Sequence, residues 1–351
     1  MANAVGKFAF HGAQAARIGW FFGQKLLAAR LSQKVPMPAA LRDRKMPDRR
    51  RLIADLWRLV EQDWRNIEAG VYAMPEDWRA GPLEEFRRAV DFFADLRAVE
   101  ARRHGGPAEA LLTDAGAGHY PAYYRRRFHF QSDGYLSRAS AERYDYQVEV
   151  LFGGGAAAMR RQALVPLREA LHGHAGSARL LDIGCGAGAF LREAKRNHPR
   201  LAVTGLDLSA PYLAVARRRL VRWSRVSLVE AAAEAMPFAA GQFDIVSCVY
   251  LFHELPPRVR RAVVGEIRRV LKPGGCVIFV DSLQTGDEPD YDALLDYFPF
   301  AFHEPYYASY LAEDLDQLMG TGFTPKERSL AYFTKVITYR CGGSPPTSHN
   351  M

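Results

Sequence analysis

Residues 180–188 read Leu-Leu-Asp-Ile-Gly-Cys-Gly-Ala-Gly, a short apolar run that breaks into glycine at every second position. Glycine lets the backbone take dihedrals closed to other residues and lets it approach a ligand closely. An apolar run before the glycines and a helix-length segment after them make this a strand-to-helix turn. Such turns lie at the carboxyl edge of a sheet, where open α/β folds bind their ligands. The flanking sequence keeps the same alternation. Strand-length runs at 179–183, 202–206, 226–229, 243–249 and 276–281 are separated by helical stretches at 189–197, 212–223 and 258–271. This spacing predicts a doubly wound, mostly parallel α/β sheet with helices on both faces. Two last runs, 323–328 and 331–339, are expected to close one edge as an antiparallel pair.

Two carboxylates narrow the ligand. Asp182 stands before the glycines, where it would repel a pyrophosphate and attract an amino group. The loop thereby departs from the Gly-x-Gly-x-x-Gly dinucleotide form and favours S-adenosylmethionine (SAM) over a nicotinamide cofactor. Asp207 ends the next apolar run, 23 residues beyond Gly184. Doubly wound folds place a carboxylate there to hold both ribose hydroxyls. Ser209 is positioned to cap the following helix, with Pro211 in its first turn.

Further motifs follow in order: Gly205-Leu206-Asp207-Leu208-Ser209, Ala233-Glu234-Ala235-Met236-Pro237-Phe238, Phe243-Asp244-Ile245-Val246, and Glu266 through Lys272-Pro273-Gly274-Gly275. With the glycine loop, these make the segment 178–275 resemble the class I SAM-dependent methyltransferases, particularly those similar to ubiquinone/menaquinone-biosynthesis methyltransferases. The resemblance implies a seven-stranded sheet, a Rossmann-like methyltransferase core and methyl donation from SAM. It assigns cofactor contacts to Asp182, Gly184, Cys185, Gly186, Gly188, Asp207, Leu208, Ala233, Glu234 and Tyr250. The family usually carries an acid for the adenine amino group where this chain has Ala232. Adenine is then left to amides near Ala233, to Glu234, or to packing on Leu208 and Met236.

Methyl transfer from a sulfonium needs an aligned acceptor, a dry pocket and, where the acceptor is protonated, a base. The run after 243–249 reads Tyr250-Leu251-Phe252-His253-Glu254, which makes His253 and Glu254 the catalytic candidates. Eight aromatics lie between Tyr291 and Tyr310, against 12% in the whole chain, so this insertion is expected to form an apolar lid. The segment 120–152 is read in the same way. Tyr135, Tyr144, His303, Tyr306 and Tyr307 are the substrate candidates, lining a pocket for a small or lipid-like, hydrophobic or aromatic acceptor. No metal is expected.

The charge is unevenly placed. Residues 1–51 hold eleven Lys and Arg against two acids, whereas the remainder holds 36 against 37. The chain is read as a basic N-terminal arm (1–48), a helical cap or substrate region (49–172) and the SAM-binding domain (173–342). Four cysteines without a Cys-x-x-Cys pair, and no apolar run of the ~20 residues that a membrane span needs, point to a cytoplasmic protein. Peripheral membrane contact through the arm is an alternative for its location. A nucleic-acid methyltransferase gripping phosphates with Arg42, Arg44, Lys45, Arg49, Arg50 and Arg51 is the competing function. Against it, the strand at 243–249 leads into Phe252-His253-Glu254-Leu255 and not an Asn-Pro-Pro-Tyr type of motif. A non-catalytic SAM-binding protein, suggested by Ala232, is the third reading.

Overall fold

The computed structural model describes residues 4–32, 35–77, 81–105, 117–126, 128–130, 134–174 and 176–342. They form two compact units, one of residues 1–161 with 288–305, the other of 162–287 with 306–351. No helix of the described residues is long and apolar enough to cross a membrane.

The first unit is helical: α1 (Ala4–Leu31), α2 (Arg49–Glu68), α3 (Pro82–Gly105), α4 (Arg138–Leu151), α5 (Ala156–Arg161) and, much later in the chain, α10 (Asp292–Phe302). Within residues 1–48, Ala4–Leu31 form a long helix, α1. The buried stripe of α1 is Phe10, Gln14, Arg17, Phe21 and Gln24, a helical repeat hidden by its polar members. Arg17 reaches Glu149 at 2.5 Å and the Gly154 carbonyl at 3.1 Å. Trp20 donates to the Tyr146 hydroxyl, and Lys25 to the Leu151 carbonyl. On α3 the apolar residues Leu83, Phe86 and Val90 are exposed, while Glu85 and Ala89 are buried. Phe92 packs on the cluster of Phe21, Ala89, Tyr146 and Val150.

The insertion carrying α10 belongs to this unit through polar contacts with α2 and the chain around it. Tyr291 donates to Asp55, and Arg51 holds Glu288 at 2.8 Å and Asp290 at 3.0 Å. The unit ends at Arg161, eleven residues before the expected boundary at 172. The Arg161 side chain is fully buried and bridges Asp63 and Asp77. Burial alone would lower its pKa, but the two carboxylates outweigh burial and raise it.

The second unit holds α6 (Leu164–Ala170), β1 (Arg179–Ile183), α7 (Ala189–Asn197), β2 (Ala202–Asp207), α8 (Ala210–Leu220), β3 (Val226–Glu230), β4 (Phe243–Val249), α9 (Pro257–Val270), β5 (Leu271–Ser282), α11 (Tyr307–Leu311), α12 (Leu315–Met319), β6 (Phe323–Ala331) and β7 (Thr334–Cys341). The sheet order is β3-β2-β1-β4-β5-β7-β6. β1 pairs in parallel with β2 and β4, while β7 runs antiparallel to both β5 and β6. Leu180, Leu181 and Ile183 are fully buried, as a central strand covered on both faces requires. The strand order reverses at β1 and β4, which puts a crevice at their carboxyl ends. The stretch 156–170 holds two helices, α5 and α6, and the stretch 307–319 holds α11 and α12. β5 starts five residues early and bulges against β4 between Phe243 and Ile245.

Replacing Arg161 with Met should destabilise the first unit by about 3–5 kcal/mol, because two buried carboxylates lose their cation. Removing the exposed Arg138–Glu142 pair should change stability by less than about 1 kcal/mol. Denaturant unfolding followed by Trp fluorescence separates the two; equal effects would refute the assignment.

Candidate active site

The β1–α7 turn runs through Gly184, Gly186 and Gly188 at φ of 66°, 53° and 75°. An L side chain is strained at each. The turn is pinned at three points: Cys185 N donates to Leu206 O, Gly186 N to Asp207 Oδ2 at 2.8 Å, and Gly188 N to Cys185 O. Space separates the three glycines. A Cβ on Gly188 would press on Ala216 at 3.1 Å, and one on Gly184 on Leu251 at 3.1 Å. One on Gly186 would meet only Tyr212 at 3.8 Å, so its backbone is the open part of the cradle.

Asp207 lies behind this turn. Its second oxygen accepts the Ser209 amide at 2.8 Å, and the Ser209 hydroxyl caps α8 by accepting from Tyr212 N. Burial pushes the Asp207 carboxyl up to about 6, against the pull of its amide donors. Asp182 is also buried and accepts from the Ser247 hydroxyl at 2.7 Å, across the β1–β4 pairing. Burial raises the Cys185 thiol well above its ordinary value.

Leu208, Ala233 and Glu234 are half-buried, in the turns that follow β2 and β3. The loop beyond them is stapled by a pair that the sequence reading did not single out. Glu266 accepts from Met236 N at 2.6 Å, and Arg269 donates to the carbonyls of Met236 and Phe238. The Arg269 guanidinium in turn holds the Glu266 carboxyl below its ordinary range. The two acids ahead of β2's and β1's ends, the open Gly186 backbone and this fixed loop fit SAM from its methionine end to its adenine end.

At the end of β4, Tyr250 sits at φ 57°, a costly conformation for a bulky residue, with its hydroxyl 2.6 Å from Thr334 Oγ1. His253 follows, 8% exposed, and its Nδ1 lies 2.5 Å from Asp281 Oδ1 on β5. Glu254 is farther from the ring, at 3.9 Å from Nε2. Asp281 was missed in the sequence; its signal was a carboxylate ending an apolar strand. The Tyr307 and Tyr310 rings stand edge-on to His253 at 5.8 and 6.2 Å. Arg260 supports these segments by donating to the carbonyls of Phe252 and Tyr306.

The substrate candidates divide between the units. Tyr306 and Tyr307 belong to the second, where Tyr307 is buried and bonded to Ser282 through its hydroxyl. Tyr135, Tyr144 and His303 belong to the first. Tyr135 is buried in an aromatic cluster, stacked on Phe128 at 5.3 Å with Tyr144 edge-on at 5.9 Å. His303 ends α10 in a left-handed conformation.

Residues 180–275 match the sequence profile of the family described as a methyltransferase domain. The chain is 34% identical to a demethylmenaquinone methyltransferase of Thermus thermophilus, over 40% of this chain and 61% of that one. It is 32% identical to a ubiquinone/menaquinone biosynthesis C-methyltransferase of Methylobacterium nodulans, over 46% and 64%. It is 36% identical to a malonyl-[acyl-carrier protein] O-methyltransferase of Legionella pneumophila, over 29% and 35%. The chain therefore spans less than two thirds of the length of these relatives. Among solved structures, the N-methyltransferase NodS of Bradyrhizobium japonicum, in complex with S-adenosylhomocysteine, is 21% identical, with a TM-score of 0.39 over 52% of this chain and 86% of that one.

Asp207→Ala should weaken SAM binding by roughly two orders of magnitude or more, two charge-assisted bonds being worth about 1.5–3 kcal/mol each. The wild-type affinity should hold above pH 6 and fall as the pH drops through about 6, where the carboxylate gains a proton and loses acceptor capacity. Calorimetry from pH 5 to 8 checks both; a flat wild-type profile would count against a ribose-binding Asp207.

Proposed function

We propose that this chain, whose residues 180–275 form a class I SAM-dependent methyltransferase domain, transfers a methyl group to a small or lipid-like, hydrophobic or ring-bearing acceptor. The observation that carries the reading is the bond from the Gly186 amide to the buried Asp207 carboxylate. It joins the glycine cradle to an acid that can still accept from ribose hydroxyls. In this reading Asp207 holds the ribose and Asp182 meets the methionine amino group. Leu208, Ala233 and Glu234 flank the adenine, and Tyr250 closes the methyl end. Bound SAM supplies the methyl already activated on sulfur.

The chain's own residues then have three tasks. They align the acceptor, exclude water and receive any proton that leaves it. We assign the proton to His253, with Glu254 beside it, and the acceptor's flank to Tyr306 and Tyr307. The acceptor class rests on this aromatic content. Relatives named for demethylmenaquinone and for a malonyl-carrier protein support a lipid-like or acyl compound.

Purified protein incubated with methyl-labelled SAM and a cell extract should place the label in the organic-solvent phase. Label confined to nucleic acid would overturn the acceptor class, and no transfer with intact SAM binding would leave a binding protein.

A further inference from the structure

Helix α1 carries two stripes. The buried one, Phe10 through Gln24, holds the helix to the rest of the first unit. The other runs Phe8, Gly12, Ala15, Gly19, Gly23, Leu26 and Arg30 at steps of three and four residues, and each of these positions is exposed. Between Lys7 and Arg30 no exposed residue of the helix is polar. A helix face in contact with water ordinarily carries its charged and polar residues there. Large side chains stand at both ends of this face: Val5 and Phe8 at one, Leu26, Leu27 and Leu31 at the other, with Phe8 83% and Leu31 63% exposed. In the middle, a Cβ on Gly12, Gly19 or Gly23 would meet no described residue beyond the helix's own turns within 4 Å. From Phe8 to Leu27 the face is about 30 Å long at the rise of an α-helix. Helix α3 differs, because its exposed Leu83, Phe86 and Val90 are interleaved with exposed Arg87, Arg88 and Asp91. Scattered apolar residues need no partner, whereas a continuous apolar face marks an interaction surface.

Charge selects the occupant. Residues 1–41 contain no acid. Of the four Lys and Arg of α1, Arg17 is paired with Glu149 and Lys25 donates to the Leu151 carbonyl. The other two, Lys7 and Arg30, are exposed at the two ends of the apolar face. Arg42, Lys45, Arg49 and Arg50 add exposed positive charge in the same unit, against exposed Asp43 and Asp48. Two copies of this chain joined through α1 would bring like charges together, with no acid on either helix to offset them. An anionic bilayer offers apolar depth to the face and negative charge to both of its ends.

We propose that the outward face of α1 docks this protein on an anionic membrane surface, with the helix in the plane of the interface. Phe8 and Leu27 enter below the head groups, and Lys7 and Arg30 lie among them. The helix does not span the bilayer, because its opposite face is fixed to the first unit through Arg17, Trp20 and Lys25. The docking rests on α1 and is independent of the methyltransferase reading. Together with that reading, it brings the protein to the phase in which a lipid-like acceptor dissolves.

Flotation of the full chain with lipid vesicles tests this without SAM or an acceptor. The protein should rise with phosphatidylcholine vesicles holding roughly one third phosphatidylglycerol, and partition should fall about tenfold or more on phosphatidylcholine alone. Phe8→Ser/Leu27→Ser should lower partition on the anionic vesicles by about a hundredfold, because two large side chains lose their apolar surroundings. Lys7→Gln/Arg30→Gln should lower it about tenfold, and Phe86→Ser, which alters an exposed ring on α3, should leave it within about twofold. All of these positions are exposed, so circular dichroism and the thermal midpoint should match the wild type in every variant. A wild type that does not float, equal partition on neutral vesicles, unchanged partition of Phe8→Ser/Leu27→Ser, or an equal loss in Phe86→Ser overturns the assignment. So does a wild-type dimer in light scattering that Phe8→Ser/Leu27→Ser returns to a monomer, since the face then belongs to a second copy.

Discussion

The bond between the Gly186 amide and the Asp207 carboxylate is the contact on which the second unit's site depends. It requires β1 and β2 side by side in parallel register, with Ile183 opposite Leu206. It also requires Gly205 in the middle of β2. A Cβ there would come within 2.8 Å of both Cys185 Sγ and Leu191, pushing the turn off the strand it bonds to. The carboxylate that receives the amide is buried, and desolvation dominates its energetics. Amide donors offset only part of that cost, so the group stays close to titration. Hydroxyl donors from a ligand would complete the solvation of such a buried acid.

Legibility in the sequence followed the physics of each unit. In the second unit, β1 and β4 are short, largely buried strands, so period and spacing located both to the residue. The glycine turn and Asp207 were visible because backbone conformation and strand termini leave marks in residue type. Asp281 bore the same strand-end mark, but that mark alone did not set it apart. An aspartate after Phe279-Val280 is a common strand end, and its meaning comes from His253, 28 residues away and brought near by the β4–β5 pairing. Glu266 and Arg269 were seen as part of a motif, yet their grip on Met236 and Phe238 needed the coordinates.

The first unit was harder to read because it buries charge. The inward face of α1 mixes Phe10 and Phe21 with Gln14, Arg17 and Gln24, so no apolar period betrays it. On α3 an apolar period exists but lies on the exposed face, while Glu85 turns inward near Arg88. A pattern of hydrophobicity predicts burial only where nonpolar area drives the packing. Where ion pairs are buried, partners distant in sequence decide which face turns inward.

Buried charge does different work in the two units. Arg161 meets Asp63 through two nitrogens and Asp77 through a third, so each nitrogen of the guanidinium donates to a fixed acceptor. Such a cluster specifies packing. Asp281 and His253 are built otherwise. The Asp281 carboxylate accepts from two backbone amides and lies 2.5 Å from Nδ1 of His253, so it ties the turn after β4 to β5. Backbone amides therefore carry much of the hydrogen bonding of this buried acid, where a guanidinium serves the two acids of the first unit.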